Sequence, residues 1–176
     1  MTYREALTEA MTELGRDPLT RFIGYGIAVG NGANGTLTGV PLAQRIETPV
    51  SEALMMGMAV GMSLRGLRPL VYCERMDFLP LMLDQITNQL DSIGRLSRGQ
   101  FKPAVIIRVM VGSKSKPPFT PITHRRDLTA GIRQMVSFPV IQLWDADTIV
   151  ADYRAALESL VEDNQTTMLV DYRERM

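Results

Sequence analysis

The chain has 176 residues, of which 45% are hydrophobic and 22% are charged, and its 19 basic residues balance its 19 acidic ones. This length suits one domain with a sizeable core, and a balanced charge gives no field that would attract nucleic acid or an anionic membrane. One cysteine, Cys73, and one histidine, His124, exclude an intrachain disulfide and a Cys/His zinc site.

The expected compartment is the cytoplasm. The longest apolar stretch, residues 53–64, is too short to span a bilayer. The first residues show no charged tip followed by an apolar run, so no signal peptide is expected. Cys73 falls in a strand-like run and is predicted to be a buried, inert thiol in a reducing compartment.

The first predicted helix opens with Thr2 and Glu5, a capping-box pair, and ends near Gly15. Residues 21–29 read as a strand that Gly24 and Gly26 weaken, and these two glycines are expected to mark a close backbone approach. A glycine-punctuated loop is then expected as far as residue 45.

The second predicted helix covers residues 52–65, with Ser51 as its cap and Gly66 as its C-terminal glycine. Its Ala53, Gly57 and Gly61 share one face, which predicts close packing of another backbone, best explained by a subunit interface. The remaining elements are predicted as strands at 69–74, 104–111, 139–143 and 167–171 and helices at 79–93, 127–135 and 147–162. A polar loop is expected at 112–123.

Alternating strands and helices predict an α/β fold with a doubly wound, mostly parallel sheet of about five strands. No repeat or linker divides the chain, so residues 1–176 are taken as one domain. Ligands bind such sheets at the carboxyl ends of their strands.

A dinucleotide site is one alternative, because the run from Gly30 to Gly35 matches G-x-G-x-x-G and Glu52 lies at about the distance of a ribose-binding acid. The third glycine of that motif must open a helix that holds a pyrophosphate. Thr36 to Pro41 is a poor helix sequence, which disfavours this interpretation.

Several ordered motifs resemble a known family. The run TPVSEALMMGMAVGMSLRGLRPLVYCERMDFLPLMLDQITNQ, the opening TYREALTEAMTELGRDP and the later SRGQFKPAVIIRVMVG are similar to the β subunit of the thiamine-dependent dehydrogenase component of 2-oxo acid dehydrogenase complexes, of the pyruvate or branched-chain type. The resemblance is strong over residues 2–112. It implies the thiamine diphosphate-binding fold of a transketolase-like pyrimidine-binding domain.

The resemblance implies a role for five residues. Glu52 matches the glutamate that bonds N1′ of the thiamine diphosphate aminopyrimidine and so helps its 4′-amino group act as a base. Phe78 matches the aromatic residue that stacks on this ring, and Val50 and Glu74 match positions beside it. His124 matches a histidine that faces the 2-oxo acid.

The chain also departs from the family pattern. Gly24-Tyr25-Gly26 stands where the family has G-E-D, and Thr123-His124-Arg125-Arg126 stands where it has His-Ser-Gln. The 176 residues contain no Gly-Asp-Gly and Asn motif, which in the family holds Mg²⁺ and diphosphate, and we expect the family's C-terminal domain to be absent. The resemblance therefore implies that Mg²⁺ is held mainly by a diphosphate-binding α-type partner, in an α2β2 heterotetramer, and that this chain has no metal site of its own.

Three functions follow as hypotheses. The first is the pyrimidine-binding subunit of a split enzyme that decarboxylates a small 2-oxo acid, active only with its partner. The second is a carboligase or transketolase-type transfer without an acyltransferase complex. The third is a non-catalytic module that has kept the fold, against which a costly buried acid such as Glu52 argues.

Overall fold

Six parallel strands form a central sheet in the order β2-β1-β3-β4-β6-β5. The computed structural model describes residues 1–115 and 124–176. In these ranges the strands are β1 (Thr20–Gly24), β2 (Arg45–Glu47), β3 (Arg68–Cys73), β4 (Ile106–Val111), β5 (Val140–Gln142) and β6 (Thr167–Tyr172). The predicted doubly wound α/β fold is confirmed.

Helices connect these strands and cover both faces of the sheet. The α-helices of the described residues are α1 (Tyr3–Leu14), α2 (Gly32–Gly35), α3 (Glu52–Leu64), α4 (Ile93–Leu96), α5 (Thr129–Met135) and α6 (Ile149–Asp163). Among these helices, none is long and apolar enough to cross a bilayer.

Two apolar layers lie on opposite faces of the sheet because successive strand residues point to opposite sides. Phe22 and Leu70 pack with side chains of α1 and α6 in one layer. Their neighbours Ile23 and Val71 pack with side chains of α3 and the segment after β3 in the other. Burial on both faces explains why these strands are almost continuously apolar.

The first strand is shorter than predicted, and a second strand follows it. β1 ends at Gly24 instead of residue 29, because Gly26 turns the backbone at a φ of 68°. The short edge strand β2 begins at residue 45, where the predicted loop ends, and no strand was predicted there. The predicted close approach is confirmed at Gly24, where a Cβ would lie 2.9 Å from the carbonyl oxygen of Tyr72, and is wrong at Gly26, where a Cβ would meet no described atom within 4 Å.

The segment after β3 is not the predicted α-helix over 79–93. It consists of a 3₁₀-helix (Met76–Met82) followed by a π-helix (Asp84–Leu90). Pro80 lies inside the first of these and cannot donate the backbone hydrogen bond that a continuous α-helix needs. The predicted loop at 112–123 falls mostly outside the described residues.

A charged pair is buried in the middle of the sheet. Arg108 of β4 donates through Nε and Nη2 to Oδ2 of Asp171 of β6, at 3.0 and 2.7 Å. It also donates to the Thr36 hydroxyl at 2.7 Å and lies over the ring of Tyr72. Burial lowers the pKa of Arg108, but the Asp171 carboxylate more than offsets this and the net direction is upward. Each of the three guanidinium nitrogens therefore donates to an oxygen acceptor, which offsets part of the cost of burying the charge.

Candidate functional site

A narrow cleft lies where β1 and β3 end and α3 begins. It has a volume of about 110 Å³, and we call it the Glu52 cleft. Its lining residues are Tyr25, Val50, Glu52, Met55, Tyr72, Cys73, Glu74 and Phe78. Four of the five residues singled out from the sequence therefore come together on its wall.

Glu52 is the first residue of α3 and is half-buried. Its position at a helix N-terminus, beside the carboxyl ends of strands, is as predicted, and the helix dipole favours an acid there. Within residues 1–115 and 124–176, no group donates a hydrogen bond to its carboxylate. The predicted cap is wrong in detail, because the Ser51 side chain bonds none of the first amides of α3. Glu52 therefore retains its full capacity to accept a hydrogen bond from a ligand.

The second acid of the cleft, Glu74, differs from Glu52 in having a cation beside it. Its carboxylate forms an ion pair of 2.9 Å with Arg75, whose Nη1 also donates to the backbone oxygen of Glu74. Arg75 is itself buried. The charge of Glu74 is thus neutralised by an adjacent cation, whereas the charge of Glu52 has no such partner among the described residues.

Cys73 lies between these two acids and is buried, as predicted. Burial raises the pKa of its thiol to about 12, and the nearby Glu52 and Glu74 carboxylates add to the increase. The thiol is consequently neutral at physiological pH and is a poor nucleophile or metal ligand.

Phe78 and His124 meet at the rim of the cleft. Their rings are arranged edge to face, with centroids 5.2 Å apart, and Phe78 is 36% exposed. The backbone of His124 has a left-handed φ of 65° and passes very close to Gly112, where a Cβ would lie 1.6 Å from the His124 carbonyl oxygen. Gly112 therefore lets His124 reach Phe78, although His124 does not line the cleft.

A second, more open cavity of about 260 Å³ adjoins the Glu52 cleft. The two cavities share three residues, Tyr25, Tyr72 and Glu74. The glycine-rich segment around Gly30 closes the outer side of the second cavity. Together they form a continuous recess along the carboxyl edge of the sheet.

The glycine run does not form a dinucleotide-binding turn. Gly35 ends the single turn α2 instead of opening a helix, and Ala33 and Asn34 inside that turn have left-handed backbones. No helix N-terminus is formed there to hold a pyrophosphate, so the dinucleotide alternative loses its structural basis.

Sequence reasoning did not identify the remaining lining residues. Tyr25 and Tyr72 lie at or beside strand ends, and Met55 lies one helical turn after Glu52. Sites in this class of fold usually lie at the carboxyl ends of parallel strands. The positions of Tyr25 and Tyr72 near predicted strand ends could therefore have marked them as candidate site residues.

Comparison with known proteins identifies the family. Residues 1–115 match the model of the transketolase pyrimidine binding domain. The chain belongs to this family. Its sheet, its helix α3 and the recess at the strand ends are the pyrimidine-binding domain fold of thiamine diphosphate-dependent enzymes.

Two relatives illustrate the similarity. The chain is 27% identical over 176 residues to the pyruvate dehydrogenase E1 component subunit beta of Rickettsia conorii, covering 97% of this chain and 52% of that protein. It is 33% identical over 132 residues to the mitochondrial pyruvate dehydrogenase E1 component subunit beta of Saccharomyces cerevisiae, covering 69% of this chain and 36% of that protein. The chain thus spans about half the length, or less, of these relatives.

Solved structures share the fold at low identity. The inactive beta4 tetramer of a split-gene transketolase superposes with a TM-score of 0.72 at 18% identity, over 98% of this chain and 52% of that one. A thiamine diphosphate-dependent 4-hydroxybenzoylformate decarboxylase from Rhodococcus jostii gives a TM-score of 0.67 at 16% identity, over 94% of this chain and 29% of that one.

Proposed function

We propose that this chain is the pyrimidine-binding subunit of a split thiamine diphosphate-dependent enzyme that decarboxylates a 2-oxo acid. The observation that carries the proposal is the Glu52 carboxylate, which faces a narrow cleft without a hydrogen-bond donor from the described residues. The kinship with subunits of pyruvate dehydrogenase supports the choice of a 2-oxo acid as the substrate class.

The lining of the cleft fits an aminopyrimidine. Its volume of about 110 Å³ suits a single planar ring and little else. The aromatic ring of Phe78 and the apolar side chains of Val50 and Met55 offer surfaces on which a flat ring packs. A ring with a protonated nitrogen is also the natural partner for a partly buried carboxylate.

Glu52 performs the proposed chemical step of this chain. When bound, thiamine diphosphate supplies a thiazolium carbon that adds to the substrate carbonyl and accepts the electrons released with CO₂. The carboxylate of Glu52 holds a proton at ring atom N1′, which makes the 4′-amino group of the same ring a better base. Glu74, already neutralised by Arg75, contributes to the ring's surroundings without competing for that proton.

His124 is placed to act at the outer end of the cleft. Its edge-to-face contact with Phe78 brings an imidazole to the rim of the cleft. We propose that His124 faces the 2-oxo acid and orients its carboxylate.

A partner chain completes the proposed enzyme. Three apolar side chains that line the two cavities are exposed, namely Tyr25, Val29 and Val50, and Leu54 of α3 is exposed as well. A cluster of exposed apolar residues marks an interaction surface. On the face of α3 that carries Ala53, Gly57 and Gly61, a Cβ built on Gly57 would lie 3.3 Å from Oε1 of Gln85, and one built on Gly61 would meet no described atom within 4 Å. Neither glycine therefore contacts another backbone segment among the described residues, and a partner chain would have to supply the predicted close packing.

We propose that an α-type partner covers this surface and binds the diphosphate. Residues 1–115 and 124–176 contain no group of three or more acidic, histidine or cysteine side chains that could hold a metal. Following the family resemblance, we assign Mg²⁺ to the partner. The proposed assembly is an α2β2 heterotetramer in the cytoplasm, with α3 at or beside a chain-to-chain contact.

A transketolase-type or carboligase transfer is the second candidate. The highest TM-score given above belongs to a split-gene transketolase. In both candidate functions Glu52 activates the cofactor in the same way. The two functions differ only in the molecule that accepts the group released from the substrate.

Reconstitution tests the proposal. The chain is mixed with a candidate partner that carries the Gly-Asp-Gly and Asn motif, and thiamine diphosphate, Mg²⁺ and pyruvate are added. Release of CO₂ that requires both chains is the expected result. Reductive acylation of a lipoyl group supports the first candidate, and acetoin-type products support the second. If the mixed chains neither bind the cofactor nor release CO₂, while each remains folded, the enzymatic function is refuted.

A further inference from the structure

The Glu47 carboxylate accepts four backbone hydrogen bonds from one turn. Oε1 accepts from the amide of Gly26 at 2.6 Å, and Oε2 accepts from Ile27 at 2.9 Å, Ala28 at 2.7 Å and Val29 at 3.3 Å. Consecutive amides that converge in this way form a cradle for an anion. Here the anion is a side chain from β2, about 20 residues further along the chain.

These bonds involve a charged acceptor and are therefore among the stronger ones in the chain. Burial raises the pKa of Glu47, but the amides of Ala28, Gly26, Val29 and Ile27 more than offset this effect, and the net direction is downward. The carboxylate is consequently ionised at neutral pH, which keeps the turn closed.

The cradle joins the two backbone segments that flank the Glu52 cleft. On one side, Tyr25 lines the cleft and directly precedes the first of the four amides. On the other side, Glu47 is followed by Thr48, whose amide donates to the carbonyl of Gly24 at 3.0 Å. Val50, on the wall of the cleft, follows two residues later. Glu47 thus adds a side-chain cross-link, beside the Thr48 amide bond and the β1–β2 pairing, between the segment that carries Tyr25 and the segment that leads into α3.

We propose that Glu47 is a positioning residue of this site: by closing the cradle of residues 26–29, it holds Tyr25 and Val50 at the separation that admits the cofactor ring. The proposal rests on the proposed function for the identity of the ligand. It assigns Glu47 no contact with the cofactor or the substrate, because Glu47 does not line the cleft.

The role predicts a particular kinetic signature. Without the carboxylate, the turn samples open forms, and only the closed fraction binds the ring. The apparent affinity for the cofactor then falls by that fraction, whereas the rate of the loaded enzyme changes little. A residue that only stabilised the fold would lower the amount of active protein and would leave the half-saturating concentration unchanged.

The first experiment uses the chain by itself. Amide resonances are recorded by NMR for the native chain, for Glu47→Ala and for Glu47→Gln, which keeps the side-chain volume and one acceptor oxygen. We expect Glu47→Ala to shift the amides of residues 26–29 and also those of Tyr25 and Val50, with a smaller shift of the same sign in Glu47→Gln. Glu162→Ala, at an exposed acid near the end of α6, serves as the control and leaves these resonances in place.

The second experiment uses the reconstituted complex with its diphosphate-binding partner. In Glu47→Ala the half-saturating concentration of thiamine diphosphate is expected to rise about tenfold, with kcat reduced less than about threefold. Added formate should occupy the empty cradle and restore the affinity, whereas chloride at equal ionic strength should not.

The outcomes separate this proposal from the proposed function. If the Tyr25 and Val50 resonances do not move in Glu47→Ala, or if the half-saturating concentration is unchanged, the positioning role is overturned. If the native complex binds no thiamine diphosphate, the proposed function is refuted, but the role of Glu47 is not. The NMR comparison then decides that role: added formate should return the shifted resonances of Glu47→Ala toward their native positions. Circular dichroism of Glu47→Ala and Glu47→Gln is the control that tests whether both variants remain folded.

Discussion

Helices α1 and α3 both follow a hydroxyl residue at the N-cap and carry a glutamate in the first turn, but the two pairs of side chains differ in their hydrogen bonds. At α1 the Thr2 hydroxyl accepts from the Glu5 amide at 3.3 Å, and the Glu5 carboxylate accepts from the Thr2 amide at 2.8 Å. At α3 the Ser51 side chain caps nothing, and Glu52 receives no hydrogen bond from the described residues.

The difference in hydrogen bonding matches a structural role for the start of α1 and a ligand-binding role for the start of α3. The capping box of α1 satisfies backbone groups that would otherwise lack partners, so its polar side chains serve stability. The start of α3 lies at the carboxyl edge of the sheet, where ligands bind, and its acid remains available. A polar group without a partner costs stability, and such costs concentrate at functional sites.

The largest expected effect comes from Glu52→Gln at the start of α3. We expect the reconstituted enzyme to lose activity by about 100-fold or more, because the amide does not hold a proton at the cofactor ring as a carboxylate does. Stability should change by less than about 0.5 kcal/mol, since the acid forms no internal hydrogen bond. Turnover and urea unfolding of the same preparation measure both quantities.

Glu5→Gln at α1 is the matched control, because it makes the same chemical change at the other helix start. It should leave turnover unchanged and weaken the capping box instead. Full activity of the Glu52→Gln complex would contradict the proposed role and would favour a non-catalytic module.

Thr2→Ala should have the next largest effect, and only on stability. Loss of an N-cap side chain costs about 1 kcal/mol, because the amide that it satisfied is left without a partner. Thermal and urea unfolding should both report the loss, while cofactor binding in the complex should be unaffected. Equal stability of Thr2→Ala and the native chain would show that the box contributes nothing in solution.

A pH titration separates the two helix starts further. The hydrogen bonds with the backbone amide and hydroxyl of Thr2 lower the pKa of Glu5 from its usual 4.5. A depressed pKa means that the box contributes stability above that value and loses it as the pH falls through the lower folded value. The Thr2 amide resonance should therefore shift with a midpoint below 4.5. A midpoint at or above the usual value would rule out a closed box.

The smallest effect is expected for Ser51→Ala. Because the Ser51 side chain makes no cap hydrogen bond, its removal should change the free energy of unfolding by less than about 0.5 kcal/mol. A loss near 1 kcal/mol, the usual size for a working N-cap, would show that Ser51 caps α3 in solution after all.

Sequence patterns predicted the elements that have strong periodicity. The apolar runs of β3, β4 and β6 and the amphipathic helices α1 and α6 appear within a few residues of their predicted bounds. The edge strand β2 was missed because three half-buried residues carry no recognisable alternation. The 3₁₀-helix and the π-helix were predicted as one α-helix. Over a short stretch, the spacing of apolar residues does not distinguish these two helix types from an α-helix.

The site could be predicted only through local motifs. Glu52, Val50, Glu74 and Phe78 lie within one continuous run that resembles the family, and that resemblance is what predicted that they share one site. The cradle around Glu47 joins residues about 20 positions apart through backbone amides, which any residue type except proline supplies. No side-chain pattern marks such an arrangement. The roles assigned to the cleft residues and to His124 remain predictions.

The buried pair of Arg108 and Asp171 bears on how the chain folds during synthesis. β6 is made after β4 and β5, yet it lies between them in the sheet. Until residue 171 has left the ribosome, the guanidinium of Arg108 lacks the Asp171 carboxylate and β4 has an open edge. A charge that lacks its partner is costly to bury, so the nascent chain should keep β4 solvated and close this part of the sheet only after β6 emerges.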